Sequence, residues 1–146
     1  MRTVEIVTLE DLAREAREIA THITQKKDAF VITLRGDLGV GKTAFVKLLG
    51  AHLGVEEEIT SPTFVIMKSY PIAYQGFTTF THIDAYRVEH EEEMRVLGFE
   101  TLCTDPLRVM CIEWPEKIPH LIPRDVLEIS VTLHDNHTRT LTYGTA

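Results

Sequence analysis

Residues 36–43, which read Gly-Asp-Leu-Gly-Val-Gly-Lys-Thr, restrict the possible folds of this chain more than any other segment. Gly36, Gly41, Lys42 and Thr43 match the spacing G-x-x-x-x-G-K-[ST] of a phosphate-binding loop. The glycines allow consecutive backbone N–H groups to point into one concavity at the start of a helix, where an anion binds. The lysine ammonium reaches the β- and γ-phosphates, and the threonine hydroxyl coordinates Mg²⁺. The loop therefore predicts that the chain binds a nucleoside triphosphate.

The segments on either side of the loop have the character that a phosphate-binding loop requires. Residues 29–34 form a nearly continuous apolar run, which is typical of a strand buried on both faces of a parallel sheet. An amphipathic helix is predicted from about Lys42, and Gly54 is expected to end it. A strand, a glycine-rich loop and a helix in this order favour nucleotide binding over an incidental glycine-rich turn.

The rest of the chain predicts strands that interleave with helices early and dominate late. Thr8 and Asp11 are typical of a helix start, because the first caps the helix and the second lies in its first turn. The other predicted elements are strands at 3–7, 63–70, 77–83, 107–112, 126–133 and 138–143, a turn at 71–76 and a short acidic helix at 89–97. We expect one P-loop NTPase domain over residues 1–146. Its predicted fold is α/β, with a mixed, mostly parallel sheet flanked by helices, an antiparallel hairpin and C-terminal β-strands.

The composition excludes several classes of protein. Of the 146 residues, 44% are hydrophobic and 25% are charged, which is ordinary for a globular protein and unlike a disordered chain. No apolar run is long enough to cross a bilayer, and the first residues lack the apolar core of a signal peptide. Cys103 and Cys111 have no metal-ligand or C-x-x-C spacing. We therefore expect no membrane contact and a reduced, cytoplasmic location.

The charge balance restricts how the chain could act on nucleic acid. The formal net charge is −7, and no cluster of Lys and Arg is evident. A protein that binds nucleic acid unaided normally has a basic face, because neutralising phosphates supplies most of the affinity. Any role in nucleic-acid metabolism is therefore expected to depend on partner proteins.

Two acidic residues follow predicted strands and could complete a site with the phosphate-binding loop. Asp84 comes after the second hairpin strand, and Glu113 comes directly after the apolar run 109–112. In a parallel α/β sheet, ligands bind at the carboxyl ends of the strands, so side chains there face the site. Acids in such positions hold the metal ion and position the attacking group in P-loop enzymes. The competing interpretation is a solvated acid at each strand end or a helix cap.

Three further features allow more than one interpretation. The hydroxyl-rich turn at 61–64 lies where P-loop NTPases have a switch segment, but the spacing also fits a plain turn. Trp114 could shield the site, stack on a ligand or be a half-buried aromatic residue beside Glu113. His82 and Asp84 could form a metal-binding pair, but alternate residues of a strand also share a face for packing reasons, which we favour.

Four segments, in chain order, resemble the TsaE family, formerly called YjeE: GDLGVGKT at 36–43, SPTF at 61–64, HIDAYR at 82–87 and IEWPE at 112–116. The resemblance extends from about residue 3 to residue 133. It implies a P-loop ATPase that hydrolyses ATP weakly, uses ATP and Mg²⁺, and works with the TsaB–TsaD pair. That pair transfers a threonylcarbamoyl group to an adenosine of tRNAs reading codons that begin with A. The ATPase would then contact tRNA only indirectly, through the complex.

The resemblance also implies roles for individual residues. Lys42 and Asp84 would be the catalytic residues, with Asp84 orienting or activating the attacking water. Thr43 and Glu113 would coordinate Mg²⁺. The full set expected to bind ATP is Thr8, Gly36, Asp37, Leu38, Gly39, Val40, Gly41, Lys42, Thr43, Ala44, Thr63 and Trp114.

Three members of this set lie outside the loop. Thr63 would sense the γ-phosphate side, Trp114 would line the pocket, and Thr8 would lie near the adenine. Thr8 starts the first predicted helix.

Two other functions stay open from the residues alone. A small-molecule kinase with the same loop would need an arginine-bearing lid, whereas only scattered arginines such as Arg87, Arg95 and Arg108 are present. In a non-catalytic binding module, ATP would serve only as a clamp that orders residues 61–64. The loop motif distinguishes neither adenine from guanine nor a monomer from an oligomer. The lack of DxxG and NKxD patterns nevertheless disfavours a GTPase.

Overall fold

The computed structural model describes residues 1–37, 39–60 and 66–145. The strands in these ranges are β1 (Arg2–Ile6), β2 (Phe30–Arg35), β3 (Met67–Tyr74), β4 (Phe77–Asp84), β5 (Arg108–Glu113), β6 (Leu127–Leu133) and β7 (Arg139–Thr145). The helices are α1 (Leu9–Ala20), α2 (Lys42–Leu53), α3 (Glu92–Val96) and α4 (Phe99–Leu102), with a 3₁₀ helix at Pro115–Lys117.

The seven strands of the described part form one sheet in the order β1-β7-β6-β2-β5-β4-β3. The four central strands β6, β2, β5 and β4 pair in parallel, whereas β3 at one edge and β7 and β1 at the other pair antiparallel. The predicted α/β fold, with its mixed sheet, hairpin and C-terminal strands, is confirmed. The carboxyl ends of β2, β4 and β5 meet at one edge of the sheet, where a site is expected.

Helix α1 begins with the cap that the sequence predicts. The Thr8 hydroxyl accepts a hydrogen bond from the Asp11 N–H at 3.1 Å, and the Asp11 carboxylate accepts one from the Thr8 N–H at 3.1 Å. This reciprocal pair is a capping box. The helix buries Leu12, Ala16 and Ile19 and lies beside α2.

Apolar side chains cover both faces of the sheet. On one face, Ile32 and Leu34 of β2 belong to a cluster with the inward residues of α1 and α2. On the other face, Val31 belongs to a second cluster with Met94 of α3 and Phe99 of α4. Strand β2 is therefore buried on both faces, as its apolar run predicts. The loop that follows β2 therefore begins at a strand whose two faces both pack against apolar side chains.

The β3–β4 hairpin has a tighter turn than the sequence predicts. Strand β3 continues to Tyr74, and the turn consists of Gln75 and Gly76, whose φ angles are 47° and 92°. Pro71 lies within β3. Proline is tolerated there because β3 is an edge strand, which carries ladder hydrogen bonds on one side only. The predicted turn at 71–76 is therefore wrong in its extent.

The helices of the described part are short. The longest, α1 and α2, have 12 residues each. Within the described ranges, no helix has both the length and the apolar character needed to span a membrane. The acidic helix predicted at 89–97 covers only Glu92–Val96. Gly98, with a φ of 81°, separates it from α4, which the sequence pattern does not predict.

Candidate nucleotide-binding site

The loop predicted to bind phosphate connects the carboxyl end of β2 to α2, and two of its glycines are required by the backbone. Gly36 has a φ of 152°, and a Cβ atom there would lie 2.7 Å from the Val131 carbonyl oxygen. Gly41, which precedes α2, has a φ of 102° in the left-handed region. Only glycine lets the chain pass this close to β6 and then turn into the helix.

The first turn of α2 differs from that of α1 in a way that suits an anion. Among the described residues no side chain caps α2, and its first turn has no acidic residue. Helix α1, in contrast, has the Thr8 cap and the acidic residues Glu10 and Asp11. The first N–H groups of a helix and its dipole attract negative charge. The N–H groups and the dipole at the start of α2 are therefore available to a bound phosphate.

Lys42, the first residue of α2, is held over the loop. Its Nζ donates a hydrogen bond to the Gly36 carbonyl oxygen at 2.6 Å and lies 3.7 Å from the centroid of the Trp114 ring. Only 5% of Lys42 is exposed. Burial lowers the pKa of Lys42, and the charges of nearby carboxylates, of which Glu113 is the strongest, act in the opposite direction. Because the ammonium is partly desolvated, its attraction for a phosphate is stronger than in water.

Glu113, the last residue of β5, has a buried carboxylate that contacts two other polar side chains. Only 3% of Glu113 is exposed. Both of its carboxylate oxygens lie 3.4 Å from Thr43 Oγ1, and Oε2 lies 2.5 Å from His82 Nε2. A buried carboxylate is costly unless partners compensate it. The hydroxyl on α2 and the imidazole on β4 are such partners, and they tie the start of the helix to two central strands.

Asp84, the last residue of β4, lies opposite Glu113 in the register of the two parallel strands. Its Oδ1 accepts a hydrogen bond from the Tyr86 backbone N–H at 3.0 Å. Burial raises the pKa of Asp84, the Tyr86 hydrogen bond opposes this shift, and the charge of Glu113 adds to it. A carboxylate with a raised pKa is a stronger proton acceptor than an ordinary aspartate.

Trp114 forms one wall of the cavity between these residues. It follows β5 with a φ of 60°, a left-handed conformation that is uncommon for a bulky side chain. Its ring centroid lies 5.0 Å from that of Tyr86. The cavity has a volume of about 300 Å³ and is lined by Gly39, Gly41, Lys42, Thr43, Ala44, Asp84, Glu113 and Trp114. The loop, the two strand-end acids and the tryptophan therefore share one cavity.

Comparison with known proteins identifies the family. The model of the family described as threonylcarbamoyl adenosine biosynthesis protein TsaE matches residues 7–141. The chain belongs to the TsaE family. The resemblance predicted from the four sequence segments is thereby confirmed.

Three relatives called tRNA threonylcarbamoyladenosine biosynthesis protein TsaE show how far the similarity extends. The chain is 35% identical to that of Treponema pallidum over 116 residues, which cover 80% of this chain and 82% of the relative. It is 37% identical to that of Rickettsia bellii over 110 residues, which cover 75% of this chain and 73% of the relative. It is 35% identical to that of Bacillus subtilis over 117 residues, which cover 80% of this chain and 70% of the relative.

A solved structure supports the fold of this TsaE-family chain. The crystal structure of Bacillus subtilis YdiB matches it with a TM-score of 0.70 at 29% sequence identity. The match covers 99% of this chain and 84% of that chain. The overall fold is therefore shared with a protein whose structure was determined experimentally.

The cavity of this TsaE-family chain does not include every residue expected to bind ATP. A second cavity of about 530 Å³ lies between the loop and β6, and the expected residues that line it are Gly36, Asp37 and Val40. Thr8 caps α1 and is not among the described residues that line either cavity. Leu38 and Thr63 lie outside the described residues, as do the rest of the 61–64 turn and the predicted strand residues 63–65.

Two residues contact the site although the sequence does not assign them to it. The pattern favours packing for His82, whereas its Nε2 contacts the Glu113 carboxylate. Arg139 of β7 donates a hydrogen bond from Nε to the Val40 carbonyl oxygen at 2.7 Å. The alternation of His82 with Asp84 was a usable signal, because alternate residues of a strand share a face. No local pattern marks Arg139, since β7 reaches the loop only through its pairing with β6.

The oxygen atoms at the cavity fit a Mg²⁺ ion that is bound together with a nucleotide. In the described part of the chain, no group of three or more His, Cys, Asp or Glu side chains is arranged to hold a metal by itself. Mg²⁺ in nucleotide sites usually takes only one or two carboxylates and completes its octahedron with phosphate and water. The Thr43 hydroxyl and the Glu113 carboxylate, 3.4 Å apart, are oxygen donors of this kind.

Proposed function

We propose that this protein is a Mg²⁺-dependent, weakly hydrolysing ATPase that acts with TsaB and TsaD. The process is threonylcarbamoyladenosine modification, in the cytoplasm, of tRNAs reading codons that begin with A. The observation that carries the proposal is the cavity shared by the phosphate-binding loop, Asp84 and Glu113. Membership of the TsaE family and the names of the relatives support the connection with tRNA modification.

In this proposal the loop and Lys42 bind the phosphates of ATP. The N–H groups at the start of α2 donate to phosphate oxygens, and Lys42 supplies a positive charge. Its contacts with Gly36 and Trp114 hold the long side chain over the loop. Because the lysine is ordered before ATP arrives, less side-chain entropy is lost on binding. On the strength of the resemblance alone, Thr8 would lie near the adenine and Thr63 on the γ-phosphate side.

The two strand-end acids have different roles. Thr43 and Glu113 would hold Mg²⁺, which would supply positive charge to the phosphates of the bound nucleotide. Asp84 orients the attacking water and accepts its proton. The Tyr86 N–H fixes Oδ1 of Asp84, and burial raises the pKa of this carboxyl, which suits a proton acceptor.

Weak hydrolysis by the protein alone agrees with the composition of the cavity. Among its described lining residues there is no arginine. In other P-loop enzymes, an arginine that stabilises transition-state charge increases turnover by about 10³–10⁵-fold. We infer that hydrolysis becomes faster only with the partner proteins. The net charge of −7 agrees with indirect contact with tRNA through that complex.

ATP turnover by the purified protein, alone and mixed with TsaB and TsaD, tests the proposal. We expect the mixture to hydrolyse ATP faster than the sum of its components. Asp84→Ala should retain ATP binding, measured by calorimetry, but lose the turnover. Lys47→Ala changes an exposed residue of the same helix α2 and should behave as the wild type.

Three results would contradict the proposal in different ways. A mixture no faster than its separate components would exclude an ATPase that works with these partners. Transfer of the γ-phosphate to a small metabolite, without partner proteins, would identify a kinase. ATP binding with no hydrolysis under any of these conditions would indicate a non-catalytic binding module.

A further inference from the structure

We propose that His82 is a positioning residue for the Mg²⁺ site, because it holds the Glu113 carboxylate in the orientation that binds the ion. The inference rests on the proposed function, in which Glu113 is a Mg²⁺ ligand. His82 is assigned no direct contact with the ion or the nucleotide. It acts through Glu113.

The two side chains meet at the carboxyl end of two neighbouring strands. In the parallel pairing of β4 with β5, His82 lies opposite Cys111, and Asp84 lies opposite Glu113. His82 Nε2 is 2.5 Å from Glu113 Oε2, within hydrogen-bond distance. His82 is fully buried, and Glu113 is 3% exposed. Rotation of the carboxylate would break this hydrogen bond in surroundings where water could not replace it.

The hydrogen bond determines which ring nitrogen of His82 acts as the donor. A carboxylate only accepts hydrogen bonds, so Nε2 of His82 carries the hydrogen and donates it. The other ring nitrogen, Nδ1, is buried and has no hydrogen-bond partner among the described residues. We therefore assign a hydrogen on Nε2, which is the donor to Glu113.

Packing alone does not account for a histidine at this position. Cys111, opposite His82, and Phe80, on the same face of β4, belong to the apolar cluster beneath α1 and α2. A leucine would pack in these surroundings without burying an unpaired polar nitrogen. The hydrogen bond to Glu113 is the property that a leucine would lack.

The contact also determines which part of Glu113 is offered to the ion. Both carboxylate oxygens lie 3.4 Å from the Thr43 hydroxyl, but His82 engages Oε2 and leaves Oε1 free of this contact. Oε1 and Thr43 Oγ1 would then be the oxygen pair available to Mg²⁺. Hydrogen bonds that orient a metal ligand typically change metal affinity by about 10–100-fold when they are removed.

The Mg²⁺ dependence of nucleotide binding separates positioning from packing. The experiment titrates Mg²⁺ into the full chain with a non-hydrolysable ATP analogue and follows binding by calorimetry. In His82→Leu, we expect the Mg²⁺ concentration for half-maximal binding to rise about 10-fold or more, with Mg²⁺-free binding unchanged. His82→Gln carries an amide N–H₂ that can donate from nearly the same position, so it should restore most of the response.

His120→Leu is the matched control. His120 Nδ1 contacts Glu91 Oε1 at 2.7 Å, so this pair is also an imidazole–carboxylate contact. His120 is exposed and does not line the cavity. We expect His120→Leu to keep the Mg²⁺ dependence of the wild type.

The outcomes distinguish this inference from the proposed function. If the wild type requires Mg²⁺ and His82→Leu responds identically, the positioning role is overturned and the ATPase stands. Equal losses in His82→Leu and His82→Gln overturn it as well. A wild type without any Mg²⁺ dependence overturns the Mg²⁺-dependent ATPase and the positioning role together.

If His82→Leu does not fold, a measurement on the wild-type protein tests the inference instead. Nitrogen NMR of the imidazoles should show a His82 Nε2–H that is protected from exchange and that disappears in Glu113→Ala. A His82 ring without this hydrogen on Nε2 in the wild type would overturn the inference.

Discussion

The Nζ of Lys42 lies 3.7 Å from the centroid of the Trp114 ring while it donates a hydrogen bond to the Gly36 carbonyl oxygen. A cation over the face of an indole ring is attracted by the negative charge of that face. Trp114 is the single tryptophan of the chain. Its fluorescence therefore reports on the state of Lys42 at the phosphate-binding loop.

ATP binding should change the fluorescence of Trp114, because the phosphates place negative charge beside the Lys42 ammonium that the ring holds over the loop. Trp114→Ala removes the aromatic face and should weaken ATP binding by about 0.5–2 kcal/mol, whereas Trp114→Phe keeps a ring and should lose less. Calorimetry measures the affinities of both variants. An unchanged fluorescence in the wild type during ATP binding would contradict the contact.

Lys42→Ala should weaken ATP binding by about 1.5–3 kcal/mol, the usual contribution of a hydrogen bond to a charged group. The physical reason is the loss of the only cationic side chain among the described residues that line the cavity. The matched control is Lys47→Ala, which removes an exposed lysine from the same helix. Equal ATP affinities of the two variants would show that the phosphates do not bind at Lys42.

Asp84→Asn should stabilise the protein at neutral pH in the absence of nucleotide and Mg²⁺. Burial raises the pKa of Asp84 above its usual value of 3.8, so the folded state binds this proton more tightly than the unfolded chain does. Its contribution to stability is then present below the usual pKa and is lost as the pH rises through the folded pKa. The ionised carboxylate of the wild type opposes folding above that range.

Thermal unfolding at several pH values measures this effect. The Tm of Asp84→Asn should exceed that of the wild type at about pH 7, and the difference should vanish at about pH 3, where Asp84 is neutral. A constant difference across this range would show that the substitution acts through packing rather than charge. The same variant should hydrolyse ATP more slowly, because an amide does not accept the proton from water.

Thr8→Ala should lower the free energy of unfolding by about 1 kcal/mol, because it removes the hydroxyl that caps α1. Thr8→Ser keeps the hydroxyl and should stay close to the wild type. Urea denaturation measures both variants. In the capping box, Thr8 and Asp11 depend on each other, so the loss in Thr8→Ala/Asp11→Ala should be smaller than the sum of the single losses.

Arg139→Ala should weaken ATP binding by about 1 kcal/mol, the usual contribution of one hydrogen bond. The guanidinium donates from Nε to the Val40 carbonyl oxygen at 2.7 Å and so ties β7 to the loop. Arg139→Lys keeps the charge but not the planar donor, and it should lose part of the affinity. If both variants bind ATP as the wild type does, the contact does not order the loop.

The elements whose formation depends only on residues adjacent in the chain were predictable from the sequence. The apolar run of β2 indicated a strand buried on both faces, and Thr8 with Asp11 indicated the start of α1. Glycines at 36 and 41 indicated a tight loop, and the structure has positive φ angles at both. These features are local, because a cap, a backbone angle or a periodic pattern involves only a few consecutive residues.

The hairpin shows where a local signal was misleading. Pro71 is usually a sign of a turn, and the pattern therefore ended the first hairpin strand too early. Strand β3 continues past it because it lies at the edge of the sheet. Whether a strand is central or at an edge depends on the order of all the strands, which no short segment encodes.

The phosphate-binding loop, its helix and the two strand-end acids were determined by the sequence itself, because each depends on residue types within one short segment. The contacts of His82 with Glu113 and of Arg139 with Val40 join residues 31 and 99 positions apart. Only the tertiary structure decided them, since they require β4 to lie beside β5 and β7 to lie beside β6. Strand order is a property of the whole sheet, which buries the apolar faces of all its strands together.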